Sequence, residues 1–172
     1  ASRPLFGHPF PSGGTISSVG ILNPPFFNYI LFPLTLLSLD PKNISLSIGL
    51  FNSLAIGSLF LVLRKYYGLL TASIATLLLA FSPWSILYSR KIWAQDFLLI
   101  LLVPWFFSIH KLIIDNKPIY WMVYMMTSLF LVQLHLPSLF FVLLTSAFLL
   151  IRKTSLHWKY LLVGLVIGLL PL

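Results

Sequence analysis

Long apolar runs, repeated from Ile44 onward and parted by short groups of basic, aromatic and turn residues, decide what this chain can fold into. Residues 44–63 extend for about a bilayer's thickness and end at Arg64-Lys65-Tyr66-Tyr67-Gly68, a basic-aromatic border of the kind found where a helix leaves a membrane. Composition closes most other routes. Of 172 residues, 59% are hydrophobic and 8% charged, with 11 Lys+Arg against 3 Asp+Glu and a mean hydropathy of +0.98. A soluble domain carries about 25% charged residues. So few charges cannot clothe a surface that faces water, which excludes a soluble enzyme and a disordered tail. The net charge of +8 does not indicate a nucleic-acid partner, because the cations sit in small groups between apolar runs and not on one face. Without cysteine the chain has neither a disulfide framework nor a thiolate metal site.

The fold class these runs predict is all-α, a multi-span transmembrane helix bundle in a plasma membrane. Residues 1–43 read as an outer loop and a juxtamembrane helix, and 44–172 as about six membrane helices, the last one truncated. Residues 1–23 have the Gly, Pro and Ser content of a loop, and Asn23-Pro24-Pro25 opens a helix, with Asn suited to the cap and proline to the first turn. The run 26–39 is short for a crossing. Asp40-Pro41-Lys42-Asn43 reads as a turn, 69–87 as one span, and 97–114 as the next. Residues 119–151 are too long for one crossing and short for two, so the spacing predicts a helical hairpin broken at Leu136-Pro137-Ser138. The chain starts at Ala1 without a signal-peptide pattern and closes on an apolar run, 160–172, below the roughly 20 residues of a crossing; we expect an internal piece of a larger membrane protein.

Alternating loops put seven cations (Arg64, Lys65, Lys111, Lys117, Arg152, Lys153, Lys159) on one side and four (Arg3, Lys42, Arg90, Lys91) on the other. The positive-inside tendency assigns the seven to the cytoplasm. Two adjacent cations in Arg90-Lys91-Ile92-Trp93-Ala94-Gln95-Asp96 then face outward, against that tendency. A phosphate at the membrane surface would account for them, since Arg offers a fork of donors and Lys a point charge. The plainer alternative anchors Arg90 and Lys91 at headgroups, with Asp96 meeting the dipole of the next helix. Gln133 and His135 lie near the expected break, either capping loose carbonyls or serving function, as a substrate hydrogen bond or, from His135, a contact to a divalent metal. The four histidines (His8, His110, His135, His157) show no metal-ligand spacing, so no metal or other cofactor is assigned to this chain.

Taken in order, Asn23-Pro24-Pro25-Phe26, Arg64-Lys65-Tyr66-Tyr67-Gly68, Ser82-Pro83-Trp84, Tyr88-Ser89-Arg90 through Asp96, and Gln133-Leu134-His135 form a pattern. It resembles the polyprenyl-phosphate-sugar-dependent glycosyltransferases of the GT-C fold, in the protein O-mannosyltransferase and aminoarabinose transferase group. The resemblance implies transfer of a sugar from a polyprenyl-phosphate carrier to an acceptor glycan, lipid or protein at the outer face. It implies that Arg90 and Lys91 face the lipid phosphate. It places Asn23, Gln95 and His135 along the substrate, and makes Asp96 an accessory catalytic carboxylate. The family's principal Asp belongs to the first outer loop, and no acidic residue precedes Asp40, so these residues are expected to be inactive alone. The alternative from another class is a non-enzymatic membrane protein, a transporter or an assembly subunit.

Overall fold

Proline, glycine and the few charged side chains set where the helices start and stop. The computed structural model describes residues 24–171, and every regular element among them is helical. Helix α1, Phe26–Leu37, starts after Pro25 and carries Pro33 internally. Helix α2, Pro41–Tyr67, is begun by Asp40, whose carboxylate accepts from Lys42 N–H at 2.9 Å, with Pro41 in the first turn where its missing donor costs nothing. The expected turn at 40–43 is therefore a cap and a helix start. At the other end Gly68, at φ 86°, makes the turn alone; this is a left-handed conformation that a Cβ disfavours.

Helix α3 spans Leu69–Ala80 and α4 spans Pro83–Tyr88. The single span expected over 69–87 is thus interrupted, because Pro83 biases Ser82 to extended backbone and itself lacks a donor. A 3-10 turn, Ala94–Phe97, leads into α5, Leu98–Ile114. Then come α6 (Pro118–Leu134), α7 (Ser138–Ile151) and α8 (Trp158–Leu169). The break between α6 and α7 falls at residues 135–137, where the spacing predicts it.

Side-chain bonds fix the directions of the helices. Tyr67 Oη lies 3.0 Å from His110 Nδ1, and Asn52 Nδ2 donates to the Asp96 carbonyl at 2.9 Å, so α2 and α5 run parallel. Trp121 Nε1 donates to the Ser155 carbonyl at 2.9 Å and Gln133 Nε2 to that of Gly168 at 2.6 Å, which sets α8 parallel to α6. The α6–α8 seam is close because α8 presents Gly164 and Gly168: a Cβ on Gly168 would stand 2.6 Å from Leu129 Cδ1, and one on Gly164 would press on the Met122 backbone. Tyr124 Oη ties α6 to α7 through Thr145 Oγ1 (3.0 Å) and Ser146 Oγ (2.7 Å).

Two apolar clusters fill the bundle. One joins Phe26, Leu34, Ile44, Ile48, Phe97 and Leu134; the other joins Trp105, Leu112, Trp121, Tyr124, Leu131 and Leu149. The outward faces are apolar as well: Leu37 is 82% exposed, Ile151 78% and Leu70 75%. Two segments, Pro41–Tyr67 and Ala94–Ile114, are long and apolar enough to cross a bilayer, and the other apolar helices are shorter. A helix of 27 residues reaches about 40 Å, beyond the roughly 30 Å of a hydrocarbon core.

Candidate functional site

The directions above sort the charges onto two ends. Residues 64–67, 110–120 and 155 meet at one end, where Lys111 Nζ lies 5.2 Å from the Tyr66 ring centre and 6.0 Å from that of Tyr120. Lys42, Arg90 and Lys91 belong to the other, with Ile92 packed on the Ile44–Ile48–Phe97 cluster. That segment is held in place from α2. A Cβ on Gly49 would lie 3.2 Å from the Ser89 carbonyl oxygen, and one helical turn further on Asn52 grips the Asp96 carbonyl.

Within the segment, the residues singled out by sequence take separate positions. Arg90 is exposed and, among the described residues, has no ion pair or side-chain hydrogen bond. Lys91 is half-buried, its Nζ 4.4 Å from the centre of the Trp93 ring, a cation–π geometry. Gln95 is half-buried in the 3-10 turn. Asp96 is 1% exposed: its Oδ2 accepts from Trp93 N–H at 2.5 Å, and its own N–H donates to the Trp93 carbonyl at 3.1 Å. The expected helix-start role of Asp96 is therefore visible, as a carboxylate that closes the 3-10 turn. The structure does not turn it toward Arg90, and the two side chains form no ion pair. Asn23 and His8 lie outside the described residues.

His135 is half-buried at the α6–α7 break, its N–H donating to the Leu131 carbonyl (2.9 Å) and its carbonyl accepting from Ser138 (2.8 Å). It stands beyond Leu134, which packs in the same cluster as Phe97. Burial pushes its pKa below the ordinary histidine value, so the ring is neutral at pH 7. Gln133, by contrast, is buried and spends its amide on Gly168, a bond between α6 and α8. Near this end an apolar hollow of about 340 Å³ lies between α1 and the end of α8, lined by Phe26, Tyr29, Ile30, Leu170 and Pro171.

Sequence reasoning passed over Asn52. It is a solitary amide in an apolar helix, 6% exposed, and a polar residue at such a place marks function or specific packing. Its Oδ1 and the Oδ1 of Asp96 are both buried without a hydrogen-bond partner. The Gly164-x-x-x-Gly168 spacing was likewise readable as a helix-packing face. The described residues contain no group of three or more His, Cys, Asp or Glu placed to hold a metal ion. Comparison with protein-family models, with curated proteins and with solved structures found no match to this chain.

Proposed function

We propose that this chain is a multi-span membrane bundle that recognises a polyprenyl-phosphate-linked sugar at its Arg90 end and serves a glycosyltransferase acting outside the plasma membrane. One observation carries the reading: an exposed guanidinium without an ion pair stands beside a half-buried ammonium at the end of an apolar bundle. A cation left unpaired there favours an anionic partner, and Arg matches two phosphate oxygens at once. Both cations stabilise charge that gathers on a departing lipid phosphate, which lowers the barrier to sugar transfer. Lys91 is steadied by the Trp93 face. Asp96, buried and bonded to Trp93 N–H, shapes the segment that presents them. Transfer also needs a group to take the acceptor's proton, and none of the described carboxylates is placed for that; donor recognition is the part assigned to these residues.

The test is retention of a radiolabelled polyprenyl-phosphate sugar by the protein in membranes. Arg90→Ala abolishes retention of the donor while expression and thermal unfolding stay as in the wild type; near-normal retention by that variant removes the phosphate role. A second reading, a non-enzymatic membrane protein that moves a solute, is favoured by the interruption at Phe81–Ser82 and by the buried Asn52–Asp96 contact, since broken helices and interior polar groups mark transport sites. Uptake of solute into vesicles with no retention of the sugar donor would select it.

A further inference from the structure

The end opposite Arg90 carries a different charge pattern. Among the described residues, Arg64, Lys65, Lys117, Arg152, Lys153 and Lys159 are exposed there and none of them has an ion pair. The carboxylate at that end, Asp115, is bound to Lys111 and is held below the ordinary aspartate pKa first by that bond, with a smaller electrostatic pull from Lys117; it forms an ion pair with none of the six. Helix packing brings them together: the Tyr67–His110 contact joins the ends of α2 and α5, and the Trp121–Ser155 bond draws the α7–α8 loop to the start of α6. Directly beside these cations the helices expose large apolar side chains, Leu69, Leu70, Ile114, Leu150 and Ile151, together with Tyr67 and Trp158.

Six unpaired cations call for anions. The apolar rim decides which kind: a free phosphate gains nothing from Leu70 or Ile151, whereas a lipid meets the cations with its headgroup and the rim with its acyl chains. We propose that this end of the bundle is a binding face for anionic phospholipid headgroups, with Arg64 and Lys65 on one side and Arg152 and Lys153 on the other. The proposal rests on the membrane placement given above and is independent of sugar transfer. Each cation near an anionic surface adds attraction that salt screens, because the pairing stays in contact with water.

The experiment is native mass spectrometry of the whole chain released from detergent micelles containing phosphatidylglycerol or phosphatidylcholine. Phosphatidylglycerol is retained and phosphatidylcholine is not, and retention falls as ionic strength rises. Combined Arg64→Gln, Lys65→Gln, Arg152→Gln and Lys153→Gln substitution weakens retention by roughly tenfold or more, while Lys42→Gln, at the opposite end, leaves it unchanged. Should the fourfold variant lose its helical circular dichroism, the charge-keeping pair Arg64→Lys and Arg152→Lys takes its place: it retains the lipid and loses it with salt. Equal retention of the two lipids by a membrane-inserted chain overturns the proposal alone, as does displacement of the lipid by an equal concentration of inorganic phosphate. A chain that stays monomeric in water without detergent removes the membrane placement and this proposal together.

Discussion

Asn52 shows what a single polar side chain does inside an apolar bundle. Its amide donor reaches across 44 residues of sequence to the Asp96 carbonyl, while its own oxygen stays unpaired. Removing the donor leaves a buried carbonyl without a partner, so Asn52→Ala should destabilise the fold by about 1–2 kcal/mol, measured by thermal unfolding in detergent. An unchanged midpoint would show the bond to be incidental. His135 gives a pH-dependent counterpart. Its pKa is lowered in the fold, so the neutral ring is favoured and stability is complete above the unfolded-state value. Protonation must then weaken the fold as pH falls below the unfolded-state value of about 6.5. The midpoint should drop over that range by less in His135→Gln than in the wild type, and equal drops would discount the ring. Arg90 and Asp96 were legible as chemistry-bearing residues because charge is rare here. That one faces out while the other turns in was not legible, because it depends on the φ and ψ values of the 3-10 turn between Trp93 and Leu98.

Among the elements, proline and glycine signals located most boundaries. Pro41, Pro118 and Gly68 stand at helix starts and at a turn, and the Leu136-Pro137 break divides α6 from α7. Pro33 stands inside α1 and Ser82-Pro83 interrupts what hydropathy alone joins, since an apolar average cannot register a missing N–H. Glycines in helices split by environment. Gly168 abuts the Leu129 side chain, so Gly168→Leu should cost about 1–3 kcal/mol by overpacking the α6–α8 seam. Gly57 has nothing within 4 Å, and Gly57→Ala should stabilise α2 by up to about 1 kcal/mol. Thermal unfolding of the two variants checks both signs, and like responses would refute the α6–α8 seam.

For the whole molecule, the decisive arrangement is which loops share an end. The helix directions group Arg64, Lys117 and Arg152 against Arg90, the same division that counting loops predicts. Because the chain has no cysteine, single cysteines at Lys117, Arg152 and Arg90 report sidedness directly. A membrane-impermeant maleimide added to intact cells should label Arg90→Cys and leave Lys117→Cys and Arg152→Cys unlabelled. Labelling of Lys117→Cys would reverse the orientation. By itself the sequence determined that the chain is helical and rich in apolar surface, because local propensity and hydropathy act over a few turns and need no partner. The tertiary structure alone decided that Asn52 finds Asp96 and that Gly168 receives Leu129. Such contacts join residues 44 and 39 positions apart, and only the packed directions of the helices, which no local run of residues encodes, bring them within reach.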